Sequence, residues 1–326
     1  MSKTANQSFT VPADAGDKTF SAWLRVWLPG QTWSQVRKLI ASRRVKINGE
    51  VWLDEARRLK PGDTVELLAN AVKTPVLIDS IPIRYIDEHV IVVEKPSGIS
   101  TVRHPAERDW LEERRMLVLT LDDLVLRQIG MQLPQKKHDH RPRFRIVQRL
   151  DKETSGLVVF ARTVDAERGL GMQFRRHTVI RRYLAVVQGK LMGQTIRSVL
   201  VRDRGDGRRG STTFKNTGKE AVTHVTVEEE LAGYTLMSCR LETGRTHQIR
   251  IHLSELGHPV CGERVYNRPH EGKPMADVSG APRLALHACE LGFVHPITEE
   301  VMHWEMPMPD DLRDFVERLR GKPAVK

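Results

Sequence analysis

Residues 145–162 read RIVQRLDKETSGLVVFAR, and how this stretch is taken decides the fold. Ile146 and Val147 enter it as apolar residues, and Leu157 to Ala161 leave it as a continuous apolar run. A run of that length bounded by a Thr-Ser-Gly turn reads as a strand buried on both faces. Between the two sits Asp151, with Arg149 and Lys152 beside it. Nearby cations hold a carboxylate ionised, and a sharp bend at Thr154-Ser155-Gly156 projects it from the sheet edge. That placement suits a nucleophile or general base. The plain alternative is an Asx-turn, in which the aspartate merely accepts from the amides that follow.

Outward from this stretch, 326 residues are enough for one large domain and a small one. The chain carries 52 Lys and Arg against 41 Asp and Glu, a net charge of +11, which favours a polyanionic partner. The three cysteines, Cys239, Cys261 and Cys289, have no CxxC spacing. That argues against a disulfide framework or zinc site and suits a reducing cytoplasm. No apolar run reaches the roughly 18 residues of a membrane span, so no membrane partner is expected.

Residues 1–15 read as a disordered tail and 16–70 as a compact unit. In the latter, KTFSAWLRVWLPG and SQVRKLIASRR form two amphipathic helices, and VKINGEVWL folds as a hairpin around Asn48-Gly49. LKPGDTVELL then supplies a turn and another strand. Residues 71–80 are a linker, and 81–320 a second domain. Its strand-like runs (HVIVVEK, GLVVFAR, RYLAVVQGK, HVTVEEE, YTLMSCRLE) mix with helical THQIRIHLSELG without βαβ spacing. An α+β class with a mixed or antiparallel sheet follows. Within 106–144 only LTLDDLVLRQIG reads as a helix; QLPQKKHDHRPRFR reads as an exposed loop.

Five segments, in order, resemble the motifs of RluA-type pseudouridine synthases. They are YIDEHVIVVEKPSGISTVRHP (85–105), RLDKETSGLVVFAR (149–162), RRYLAVVQG (181–189), LETGRTHQIRIHLSELGHPVCGERVY (241–266) and RLALHACELGFVHPIT (283–298). The basic helix with ASRRVKINGE and LKPGDTVEL resembles the small RNA-binding module named after ribosomal protein S-four. The resemblance implies a mainly antiparallel, curved mixed sheet flanked by helices, behind a small α/β RNA-binding domain. It implies an enzyme that converts uridine to pseudouridine in RNA with no cofactor and no metal. Asp151 would be the catalytic aspartate, Arg250 its ion-pair partner, and Tyr183 the platform for the uracil. Arg149 would fill the gap left by the flipped base, with Gln148, Thr154 and Leu284 or Leu286 also on the substrate side. Arg37, Lys38, Arg43, Arg44 and Lys46 would contact phosphates.

Two positions depart from the family pattern: Gln148 replaces the usual histidine, and Glu263 an aspartate read as structural. His247, His252 and His258 lack HxxxH spacing, so they read as hydrogen-bonding residues and not as metal ligands. The expected substrate is ribosomal RNA of the large subunit, handled by a monomer. The alternatives are a synthase acting on transfer RNA and a non-catalytic ribosome-assembly factor.

Overall fold

The computed structural model describes residues 7–12, 18–42, 44–53, 55–69, 80–104, 107, 115, 118–130, 144–205, 207–214, 217–267 and 275–321. The chain divides into two compact units, Met1–Asp79 and Ser80–Lys326. Arg43, most of the 71–80 linker and the QLPQKKHDHRPR segment lie outside the described residues.

In the first unit, α1 (Phe20–Trp27) and α2 (Trp33–Ala41) pack on strands β1 (Gln7–Thr10), β2 (Val45–Ile47), β3 (Glu50–Val51) and β4 (Thr64–Leu67). The strands form one antiparallel sheet in the order β1-β4-β2-β3. Helix α2 starts in a capping box: the Gln35 amide donates to the Thr32 hydroxyl at 3.2 Å, and the Thr32 amide to the Gln35 side chain at 2.7 Å. At the hairpin tip Asn48 and Gly49 have φ of 51° and 83°, the left-handed pair that an Asn-Gly turn tolerates. Phe20, Leu24, Val36, Ile40, Val45, Ile47 and Val65 make the core.

The expected disordered tail is corrected here, because its residues 7–10 form β1 against β4. Phe9 stacks on Trp27 with ring centroids 5.2 Å apart, and Val11 is buried. Two alternating apolar side chains are enough to dock a strand on an open edge. They are easily missed among polar neighbours.

The second unit is built on ten strands: β5 (Ile83–Ile86), β6 (Val90–Lys95), β7 (Ser155–Ala161), β8 (Ile180–Gln188), β9 (Gln194–Val201), β10 (Gly210–Ser211), β11 (Lys219–Leu231), β12 (Tyr234–Leu241), β13 (Leu286–Val294) and β14 (Val301–Glu305). Their order is β10-β9-β11-β12-β8-β13-β7-β6-β5, with β14 on β13. Helices α3 (Leu121–Gln128), α4 (Val164–Arg175), α5 (Gln248–Glu255) and α6 (Asp310–Arg320) complete it. The sheet is mixed and mainly antiparallel, as expected; β7 and β13 are its parallel pair. Every residue of β7 is buried, which is why its sequence runs apolar instead of alternating.

The β7–β13 junction explains the glycine of the opening stretch. Gly156 has φ of 129°, and a Cβ there would lie 2.2 Å from the Ala288 carbonyl oxygen. Only glycine permits this approach of the two backbones. The junction fixes where β7 begins, and so where the preceding loop delivers Asp151.

Candidate active site

The loop from Arg145 to Thr154 is held from both sides of Asp151. The Lys95 ammonium, fully buried, donates to the carbonyls of Pro96 (3.0 Å), Lys152 (3.0 Å) and Thr154 (2.7 Å). Burial pushes its pKa down to about 7, against the pull of Glu153 and Asp151. Ser97 donates to the Glu153 carbonyl at 2.6 Å, and Thr101 exchanges hydrogen bonds with the backbone of Leu150. The lysine-proline-serine-glycine turn therefore acts as a clamp on the aspartate loop.

Asp151 faces α5. Arg250 Nη1 donates to its Oδ2 at 3.3 Å, while His247 Nε2 lies 3.8 Å from Oδ1. Arg250 is itself gripped by Glu263 through a two-pronged bond, 2.7 Å at both Nε and Nη2. The Glu263 carboxylate is 1% exposed and also accepts from the amides of Val265 and Tyr266. Burial works to raise its pKa, but the Arg250 bonds and charge with the two amides outweigh it and hold the carboxyl below its usual range. Burial alone would lower the Arg250 pKa; Glu263 and Asp151 reverse the sign and raise it. Arg250 thus stays cationic at the bottom of the cleft, and Asp151 has a fixed positive neighbour.

His247 opens α5 in the left-handed conformation, φ 59°, which turns its ring toward Asp151. Its Nδ1 lies 2.6 Å from the Tyr266 hydroxyl. Burial pushes the Tyr266 phenol up to about 12, so it stays protonated beside the ring. Burial also pulls the His247 pKa below its usual value, with Asp151 opposing, which favours the neutral ring.

Tyr183 stands in β8, paired with Cys239 of β12 and Ala288 of β13. Burial raises its hydroxyl to about 12, with the charge of Asp151 adding to the effect. It presents a ring and a protonated phenol, not a phenolate, at neutral pH. Gln148, Arg149, Asp151, Thr154, Tyr183, Leu286 and Arg250 all line one cleft of about 870 Å³. Arg149 is exposed at its rim; Gln148 is half-buried, and its amide nitrogen has no partner among the described residues. Leu284 is buried but does not line the cleft, so of the two leucines Leu286 is the one in place.

In the first unit, Arg37 and Lys38 lie on the exposed side of α2, with Arg37 3.3 Å from Glu55. Arg44 donates to the Leu68 carbonyl at 2.9 Å, and Lys46 is half-buried in β2. Among the described residues, Glu290, His303 and Glu305 have metal-ligand spacing, but Arg182 hydrogen-bonds Glu290 and reaches Glu305 at 3.8 Å.

Residues 89–255 match the family model described as RNA pseudouridylate synthase, and 22–65 match the S4 domain. The chain belongs to the RNA pseudouridylate synthase family. It is an isomerase acting on RNA, with an S4 domain in front. It is 33% identical to ribosomal large subunit pseudouridine synthase D of Nitrosomonas europaea, over 96% of this chain and 88% of that one. It is 35% identical to the protein of the same name in Xylella fastidiosa, over 97% and 93%. The solved structure of human RNA pseudouridylate synthase domain containing 1 shares the fold, with a TM-score of 0.54 at 24% identity, over 77% of this chain and 99% of that one.

Glu263, expected as a structural residue, holds Arg250, and His247, expected as a hydrogen-bonding histidine, bonds Tyr266 while facing Asp151. Both stand in the motif that also holds Arg250. A carboxylate thirteen residues after an arginine carries no periodicity signal, and the loop after α5 brings it back.

Proposed function

We propose that the protein isomerises uridines in large-subunit ribosomal RNA, as a cytoplasmic monomer, with Asp151 as the catalytic carboxylate. The observation that carries this reading is the chain of contacts Asp151–Arg250–Glu263 at the floor of the cleft that also holds Tyr183. In the reaction the bond between uracil N1 and the ribose breaks, and a bond from carbon 5 replaces it. Carbon 5 loses a proton and N1 gains one, so nothing is consumed. Asp151 attacks the detaching ribose or the base, or promotes loss of a ribose proton; each role needs the ionised carboxylate that Arg250 favours. Tyr183 stacks on the extruded uracil, and Leu286 closes the apolar side of the pocket. Gln148 offers its free amide to the RNA beside it. Arg149 enters the helix where the base has left, offsetting an unstacking cost of a few kcal/mol.

The large-subunit assignment is supported by the names of the two bacterial relatives. The exposed Arg37 and Lys38, with Arg44, Lys46 and Arg43, are taken as phosphate contacts of the S4 domain. Family membership and the Asp151–Arg250 pair in the cleft favour an enzyme over a silent assembly factor. No described helix is long and apolar enough to cross a membrane.

The test maps pseudouridine in total ribosomal and transfer RNA from cells with and without the gene, complemented with wild type or Asp151→Asn. The expected outcome is loss of one or more large-subunit sites, restored by wild type and not by Asp151→Asn. Restoration by the variant overturns the catalytic role of Asp151. Loss confined to transfer RNA moves the substrate, and no loss anywhere favours the assembly factor.

A further inference from the structure

A second arginine lines the cleft, and its surroundings are unlike those of Arg250. Arg181 of β8 is nine-tenths buried, with 9% of its surface exposed. Its Nη2 donates to the carbonyls of Leu241 (3.3 Å) and Glu242 (2.9 Å), and its guanidinium lies 5.3 Å from the Phe174 ring. Its Nε is buried and has no partner among the described residues. Its Nη1 lies against Gly244, where a Cβ would approach to 2.8 Å, so the bare glycine leaves that side of the fork uncovered.

No carboxylate among the described residues pairs with it. The Glu242 carboxylate bonds His224 at 2.6 Å, and Glu167, also at the cleft, bonds Arg145 at 2.9 Å. Burial pulls the Arg181 pKa below its usual value, with the neighbouring Tyr183 opposing, and no carboxylate contributes to the balance. Neutral carbonyls orient a guanidinium without cancelling its charge. A buried charge without a counter-ion is expensive and is not kept for packing alone.

From these observations the geometry points to a phosphodiester-binding subsite at Arg181, in which the guanidinium takes the non-bridging oxygens of an RNA phosphate within one nucleotide of the target uridine. Arg181 and Tyr183 are two residues apart on one strand, so they share a face about 7 Å apart. That spacing is comparable to one nucleotide of extended RNA. With Nη2 held by the two carbonyls, Nη1 beside Gly244 is the donor for a charge-assisted bond to phosphate. Arg175 and Arg245 also line the cleft and add to its positive charge. The subsite rests on Tyr183 being the uracil platform, as argued above.

The decisive experiment is a binding cycle in an Asp151→Asn background, using an RNA stem-loop that carries the mapped uridine. Methylphosphonate linkages, which remove the phosphate charge, are placed one at a time at the phosphodiesters flanking that uridine. Arg181→Met is expected to weaken binding roughly tenfold and to flatten the salt dependence by about 0.7 in log–log slope. One methylphosphonate position is expected to weaken the Arg181 protein similarly and to add nothing in Arg181→Met. Arg181→Lys recovers the slope but not the full affinity, which a merely structural arginine would not do; Arg181→Gln, which also removes the charge, serves in the cycle if Arg181→Met fails to melt cooperatively. Multiplying losses at every position, with an unchanged slope, overturn the proposal. If no uridine can be mapped, the active-site reading fails separately, and the salt slope is still read on single-stranded oligouridylate.

Discussion

The two walls of the cleft each bury an arginine, and the protein treats them in opposite ways. Arg250, on α5, is saturated: Glu263 grips it at two points and Asp151 takes a third. Arg181, on β8, has two carbonyls and an aromatic ring but no carboxylate among the described residues. A fully paired guanidinium is an internal fixture, whose work is to set the charge and position of its neighbour. An uncompensated one is poised for something that arrives from outside. The difference separates the chemistry of the cleft from its grip on RNA.

The largest effect that sharpens this contrast is expected from Arg250→Met. It strands Glu263 as a buried carboxylate, and breaking such a pair costs about 3–5 kcal/mol. Urea denaturation of the variant measures it; a loss below 1 kcal/mol would mean that water already solvates the pair.

Next in size is an acid effect on the helix that carries Arg250. His252 is 1% exposed, between the Ser198 and Thr223 hydroxyls, and burial lowers its pKa from the usual 6.5 to about 4. The unfolded chain therefore takes up the proton first as pH falls. Stability is complete above about pH 6.5 and declines toward pH 4, by on the order of 1–3 kcal/mol. Melting temperature against pH reads it, and His252→Asn is expected to shrink the slope in that window. His287, lowered to about 4 by burial, contributes in the same sense.

Arg181→Met is expected to change stability least, by about 1 kcal/mol or less. Lost carbonyl bonds are offset by removal of an unpaired buried charge. A loss as large as that of Arg250→Met in the same denaturation series would show that Arg181 has a structural partner and would erase the contrast.

Much of this was legible in the sequence, for identifiable reasons. The Asn48-Gly49 turn, the apolar run of β7 and the amphipathic faces of α1 and α2 are local patterns, and local chemistry dictates them. The residues around Asp151 were found because they sit in contiguous motifs. Strand β1 was not, since its docking depends on Phe9 meeting Trp27 from eighteen positions away. Glu263 and His247 acquire their meaning only when the loop after α5 and the loop before β7 meet. Arg181 is the extreme case. In the sequence it is one of many arginines, and only the convergence of β8, the end of β12 and α4 sets it apart from the described carboxylates.

The parallel pairing of β7 with β13 has a consequence for synthesis. Ser155 and His287 are hydrogen-bonded at 3.0 Å across 132 positions of chain. Contacts that distant in sequence close late. A ribosome making this protein must release β13 before β7 has its parallel neighbour, and α5 before Asp151 has Arg250. The growing chain can display its S4 domain to RNA while its active centre is still unassembled. Binding can thus precede catalytic competence in the lifetime of each molecule, and the order is written into strand connectivity.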